Sequence, residues 1–188
     1  MVNESEFIQK LTSPKHKDEA FKQLLQLYQK RLYWHIRKLV ITHENADDVL
    51  QNTFVRIFKS LPNFKQKSSL HTWMFKIAYN ESLRFLEQQK KKQHQSLNEI
   101  TSMYMDQLVS DTFFEGSEIQ LKLQRILASL PEKQRHIFHL KYFDDLKFNE
   151  METILGIKEG TIKTSYYKTV DFIKKNINKE ELSLKIKV

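Results

Sequence analysis

The sequence predicts an all-α protein made of two small helical domains joined by a flexible linker, the second domain containing a helix-turn-helix. Three observations carry that expectation. Three Gly and three Pro in 188 residues fall far below the roughly 12% combined usage of average proteins, so turn-formers for a many-stranded β fold are scarce. Apolar residues recur at steps of three and four in both halves of the chain, which is the period of a helix face. The charge then divides the chain into three pieces. Residues 1–92 hold 17 basic and 9 acidic groups, residues 93–118 hold five acids and no Lys or Arg, and residues 119–188 hold 14 basic and 9 acidic groups. The domains are accordingly set at 1–92 and 119–188. The strip at 93–118, rich in Ser, Thr, Asn, Gln and Asp and containing Gly116, reads as an acidic linker.

The elements follow in order. Phe21, Leu24, Leu25, Tyr28, Leu32, Ile36 and Leu39 mark one face of a long first helix. A second stripe, Ala46, Val49, Leu50, Thr53, Phe54, Ile57 and Phe58, starts beside Asn45 as its expected N-cap and stops before Pro62. Ser69 is placed to cap a third helix that carries Leu70, Trp73, Met74 and Ile77 and runs into Lys90, Lys91 and Lys92, cations that suit a helix C-terminus. Beyond the linker, Ile119, Leu123, Ile126 and Leu127 restart the pattern. Pro131 is expected at the first position of the next helix, ahead of Ile137, Phe138 and Leu140. From Phe148 to Ile173 the pattern is short helix, turn at Gly156, longer helix: Phe148, Met151 and Leu155, then Ile162, Tyr166, Val170 and Ile173.

Composition restricts the chemistry. With no Cys there is no disulfide framework, Cys-ligated zinc or thiol nucleophile, and the chain suits a reducing compartment such as the cytoplasm. Met1 to Lys10 carries Glu4 and Glu6 without an apolar core run, and no stretch of 18 apolar residues occurs, so neither secretion nor a membrane span is expected. The seven His are scattered, and His43-Glu44 lacks the second His of a zincin helix. Asp47-Asp48 and Asp144-Asp145 are candidates for Mg²⁺, but adjacent helical residues diverge by about 100°, and acids at a helix start are ordinarily dipole partners. No catalytic residue, metal site or cofactor is assigned.

The net charge of +8 and the sequence pI of about 9.4 point instead to a polyanion. On a helical wheel, Ile162, Tyr166, Val170 and Ile173 turn Thr161, Thr164 and Lys168 to the opposite face, with Lys163 and Tyr167 on its flanks. That set suits a major groove, although an amphipathic hairpin with a solvated face would show the same pattern. Between Asn63 and Arg84, Lys65, Lys67, Lys76 and Arg84 alternate with Phe64, Trp73, Phe75, Tyr79 and Phe85. Rings can stack on unpaired bases for roughly 1 to 3 kcal/mol each while cations follow the phosphates, yet Trp73 and Ile77 also lie at core spacing.

Read together, these blocks resemble the extracytoplasmic-function class of bacterial RNA polymerase sigma factors over nearly the whole chain. The run from Ala46 to Phe54 (ADDVLQNTF) is similar to the family's second conserved region, and Leu61-Pro62-Asn63-Phe64 with Ser68 to Asn80 (SSLHTWMFKIAYN) to its promoter-opening segment. Leu130 to Arg135 (LPEKQR) and Leu155 to Lys163 (LGIKEGTIK) resemble the fourth region. The order and spacing make these individually weak motifs specific.

The resemblance implies a protein that is not an enzyme. It binds core polymerase, recognises a two-part promoter and helps open it. Asp48, Gln51, Asn52 and Phe54 are implied to dock on the β′ clamp helices of the polymerase, whose β subunit is a further partner. Lys65, Lys67, Ser68, Thr72, Trp73, Lys76 and Asn80 are implied to read and melt the minus-ten element. Lys158, Thr161, Lys163, Thr164, Tyr167 and Lys168 are implied to grip the minus-thirty-five element of promoter DNA. The acidic linker, 26 residues long and able to span about 86 to 94 Å when extended, is implied to run through the basic RNA exit path. Family members are often held by an anti-sigma partner. Three departures stand out: Arg84 where many relatives carry an acid, Ser165-Tyr166-Tyr167-Lys168 in place of an Arg-rich run, and Glu152 where a small residue ordinarily packs on the recognition helix. Glu152 is expected to reach sideways into solvent. Two other readings remain: a free-standing helix-turn-helix regulator, which leaves the Ala46–Phe54 and Ser68–Asn80 motifs unexplained, and a metal-dependent phosphohydrolase, for which clustered ligands are not seen.

Overall fold

The structure, a computed structural model, describes residues 4–40, 42–93 and 118–177. The described residues form eight α-helices and one 3-10 turn, divided between two compact units, Met1–Gln89 and Lys90–Val188. Residues 94–117 of the expected linker lie outside the described residues.

In the first unit, α1 spans Glu4–Thr12, α2 Lys17–Val40 and α3 His43–Ser60, and α4, Leu70–Gln93, starts there and ends just past Gln89. The sequence reading did not assign α1, yet its Phe7, Ile8 and Leu11 are all buried. Its carboxylate at Glu4 accepts a 2.6 Å hydrogen bond from the Leu70 N–H, satisfying one of the free donors at the start of α4. α2 buries Leu24, Leu32, Ile36 and Leu39 as its stripe requires. Phe21 meets Phe58 edge-on at 4.9 Å and Phe54 at 6.4 Å, tying α2 to α3. The N-cap of α3 is Thr42 and not Asn45. Thr42 is extended (φ −93°, ψ 154°) and its hydroxyl accepts from the Asn45 N–H, so Asn45 is the third helical residue, receiving the cap it was expected to supply. Pro62 stands in the 3-10 turn Leu61–Asn63 that follows α3.

Ser69 does cap α4, its Oγ accepting from the Thr72 N–H at 3.1 Å. The buried stripe of α4 runs through Leu70, Met74, Phe75 and Ala78, displaced from the expected line through Trp73 and Ile77, both of which are half-buried. The fully buried ring is Phe75, which His71 meets at 4.3 Å and His35 at 4.9 Å.

In the second unit, α5 spans Glu118–Ala128, α6 Glu132–Tyr142, α7 Phe148–Leu155 and α8 Glu159–Asn176. Pro131 is the N-cap of α6, one place before the expected first helical position, with ψ at 140°. Its carbonyl accepts from the N–H groups of Gln134 and Arg135. Five consecutive α6 residues, His136 to Leu140, are buried, so this helix is covered on all sides and forms the centre of the unit. Phe138 stacks on Tyr142 at 5.1 Å and lies parallel to Tyr166 of α8 at 6.0 Å. Gly156 ends α7 in the left-handed region at φ 68°, its N–H bonding to the Glu152 carbonyl. A residue with a Cβ would be strained there, and that turn sets α8 against α7.

Candidate nucleic-acid interface

Three exposed surfaces carry the residues singled out in the sequence. On α3, the positions turned away from the core are Asp48, Gln51 and Asn52, joined at the same helical spacing by Val55, which is 52% exposed. Phe54 is not part of this surface. It is 9% exposed and packs on Phe21, so the aromatic edge expected beside Gln51 and Asn52 is turned inward. Val55 was missed, although the complement of the buried stripe contains it. Asp47 pairs with His43 at 3.4 Å, and among the described residues no group of three or more His, Asp or Glu is placed to hold a metal ion.

The second surface joins the loop after α3 to one side of α4. Lys65 and Lys67 are exposed, with Gln66 between them in the left-handed region at φ 52°, a conformation costly for a residue with a side chain. Phe64 and Trp73 lie 4.7 Å apart with planes 36° from parallel. Trp73 is thus supported from the loop while remaining part-exposed. Lys76 and Asn80 are exposed and follow Trp73 at three- and seven-residue steps, on the same face. Thr72 does not belong to this exposed face: it is 2% exposed, and its hydroxyl lies 2.8 Å from the half-buried Ser69, so it holds the loop against the start of α4. Ser68 is half-buried. Arg84 meets Glu81 at 2.7 Å, and Arg56 of α3 shares the same carboxylate at 3.0 Å. Two cations on one acid leave this corner positive, and Arg56 is a contributor that the sequence reading did not single out.

The third surface is the outer face of α8. Thr161, Lys163, Thr164, Tyr167 and Lys168 are exposed, while Ile162, Tyr166, Val170 and Ile173 are buried, as the wheel divides them. Lys158 is the exposed N-cap residue. Lys163 pairs with Glu159 at 2.6 Å, and that hydrogen bond holds its ammonium pKa above the ordinary value. Burial pushes the Tyr166 phenol up, with Tyr167 and Tyr142 adding to the effect. Glu152 is exposed but does not simply reach into solvent: its Oε2 accepts from the Glu159 N–H at 3.1 Å. It bridges α7 to the start of α8, where a carboxylate also meets the positive end of the helix dipole. The longer side chain replaces packing with a cap.

These surfaces can be set beside known proteins. Residues 24–92 match the family described as Sigma-70 region 2, and residues 120–171 match Sigma-70, region 4. The ECF RNA polymerase sigma factor SigW of Bacillus subtilis (strain 168) is 23% identical over 167 residues, covering 85% of this chain and 89% of that protein. The chain belongs to the sigma-70 family, in its extracytoplasmic-function class. The sigma factor YlaC of the same organism is 26% identical over 170 residues, covering 88% of this chain and 95% of its own. The fold is shared with CnrH, solved in complex with the cytosolic domain of CnrY, at a TM-score of 0.66 and 17% identity over 92% of this chain and 95% of that one. The sigma factor RpoE solved in complex with the anti-sigma factor NepR from Bartonella quintana gives 0.64 and 20%, over 83% and 95%. This sigma factor is an alternative transcription initiation factor and not an enzyme. No helix among its described residues is long and apolar enough to cross a membrane.

Proposed function

We propose that this sigma factor divides its work among the three surfaces in the order in which they occur along the chain. The α3 face of Asp48, Gln51, Asn52 and Val55 docks on the β′ clamp helices of core polymerase, and the β subunit completes the binding. The loop with Lys65 and Lys67, together with Trp73, Lys76 and Asn80, takes up the minus-ten element and holds a strand open. Cations follow its phosphates while the part-exposed indole stacks on a base. The outer face of α8 enters the major groove of the minus-thirty-five element.

The observation that carries this reading is the Phe64–Trp73 pair flanked by exposed lysines, in a chain whose other unit presents a polar helix after a tight turn. A free-standing duplex regulator has no use for the first of these. The acidic segment at 93–118 is assigned to the polymerase's RNA exit path on its charge. The protein acts in the cytoplasm, where polymerase is. An anti-sigma partner competes for the same faces; what supports a partner of this kind is that RpoE, which shares the fold, was solved in complex with the anti-sigma factor NepR.

Run-off transcription from pooled genomic fragments, using core polymerase with and without this protein, tests the proposal. Expected are new transcripts that share a two-part upstream sequence. Failure to bind core polymerase, with duplex binding retained, would leave the free-standing regulator as the better account.

A further inference from the structure

A single carboxylate joins α3 to α4. Glu81 of α4 accepts from the Nε of Arg56, on α3, at 3.0 Å, and from one terminal nitrogen of Arg84, a turn further along α4, at 2.7 and 3.0 Å to its two oxygens. The Glu81 side chain is 13% exposed, whereas those of Arg56 and Arg84 are about half exposed. The acid is the sunken member of the cluster, and the two cations stand nearer the surface. One acid against two cations is more than a brace between helices needs. Arg56 with Glu81 would already tie α3 to α4, and position 84, where many relatives carry an acid, here adds a second positive charge. Like charges held close repel, so a cluster with one cation in excess favours the approach of a further anion.

The place of Arg84 on α4 says where that anion comes from. At 100° per residue, Trp73, Asn80 and Arg84 fall within about 40° of one another. Arg84 follows Asn80 by about 6 Å and Trp73 by about 16 Å along the helix axis. It therefore extends the face of Trp73, Lys76 and Asn80 by one turn. Glu87, the next exposed residue of that column, is an acid, so the cationic stretch ends at Arg84. Both bonds of Arg84 to Glu81 use the same terminal nitrogen, and a guanidinium carries five N–H donors in a planar fork, which leaves donors for a phosphate.

We propose that Glu81 is a positioning residue for strand holding: it presents the Arg84 guanidinium to a backbone phosphate of the strand whose base lies at Trp73, and by taking Arg56 on the same carboxylate it keeps that contact in register with α3. The assignment rests on the reading of this α4 face as the strand-holding surface and deepens it. Arg84 touches the strand, and Glu81 acts through Arg84. A long side chain fixed before contact loses less freedom on binding than a free one.

The test uses the full chain and a mixed-sequence single strand of about 30 nucleotides, followed by fluorescence anisotropy across a salt series, with core polymerase pull-downs and thermal melts of every variant. Phosphate contacts are independent of sequence, so no promoter need be known. Arg84→Gln is expected to weaken strand binding about tenfold and to lower the salt slope by about 0.7, the value for one phosphate of a single strand, with core binding and melting temperature unchanged. Glu81→Gln keeps the shape and removes the charge. It should weaken strand binding about threefold although it makes the surface more positive, and tighter binding would mean that Glu81 only screens the arginines, which would overturn the assignment. Exchanging the pair, Glu81→Arg with Arg84→Glu, keeps one acid and two cations in the cluster. A brace alone would be satisfied by that exchange and strand binding would return to wild type, which would also overturn the assignment; expected instead is retained core binding with strand binding as weak as in Arg84→Gln. Trp73→Ala and Lys76→Gln separate this proposal from the reading beneath it. If they weaken strand binding while Arg84→Gln binds as wild type, the strand-holding face stands and Arg84 has no part in it. If they bind as wild type too, or the wild-type chain does not bind the strand, both readings fall.

Discussion

At the scale of single residues, burial separates side chains that the motifs group together. Gln51, Asn52 and Phe54 lie within four positions on α3, yet the first two are exposed and Phe54 is in the core. Gln51→Ala and Asn52→Ala should therefore weaken core polymerase binding and leave the melting temperature within about 4 °C, since exposed substitutions away from special features change stability by less than about 0.5 kcal/mol. Phe54→Ala should do the reverse first, lowering stability by about 3 to 5 kcal/mol through lost burial and a cavity. Paired melts and polymerase pull-downs check this, and equal stability losses in all three would contradict the assignment. Trp73 lies between these cases because one side rests on Phe64. Trp73→Phe should preserve the fold and retain part of promoter opening, whereas Trp73→Ala should impair opening more than duplex binding, with helical circular dichroism maintained. A permanganate footprint of the opened strand measures the difference. The sequence could mark Trp73 as core or platform but could not show that it is half-buried against Phe64, because that depends on a ring contributed from a loop nine residues earlier.

At the scale of elements, what was legible followed from strong local period. α2, α3 and the α7-turn-α8 pair were readable because their stripes are long or punctuated by Gly156, and the outer face of α8 came out as the wheel drew it, whereas α7 buries Met151 and Ile154 and leaves the expected Phe148 and Leu155 half-buried. α1 was not, since three buried residues in nine give too short a pattern to stand above a polar terminus. Caps were misplaced by one to three positions at Asn45 and Pro131 for a related reason: a cap is defined by backbone angles and a hydrogen bond, and several nearby residue types can supply it. Glu152 and Thr72 show the same limit at the candidate site, because their roles depend on partners brought near by folding. The contact from α1 to α4 has a measurable consequence. Glu4 is 66 residues from the N–H it accepts, so Glu4→Ala should free that donor, at a cost of about 0.5 to 2 kcal/mol in the range of other N-cap losses. Glu4→Gln, which keeps an acceptor oxygen, should lose less. Amide exchange at Leu70 to Thr72, just after the loop that carries Lys65 and Lys67, should accelerate in the Ala variant, and unchanged exchange would show that Ser69 suffices.

At the scale of the whole molecule, each unit has its own core and its own aromatic centre: Phe75 among His35, His71 and Met74 in the first, and Phe138 with Tyr142 and Tyr166 in the second. By charge the chain divides into two basic blocks with an acidic strip at 93–118 between them, while along the chain the first unit ends at Gln89. The surfaces proposed to face polymerase and to hold a strand lie on the first unit, and the surface proposed to read the duplex lies on the second. Damage to one core should therefore remove one function. Phe138 is 1% exposed, and its replacement by Ala should cost about 3 to 5 kcal/mol, a large part of the roughly 5 to 15 kcal/mol that a domain has in total. Phe138→Ala should accordingly abolish or strongly reduce duplex binding by α8, while binding to core polymerase through the α3 face persists. Calorimetry of the variant should show one transition lost or moved down and another unchanged. Loss of polymerase binding along with duplex binding would mean that the first unit depends on the second for its stability, and the division of labour between them would then have to be abandoned.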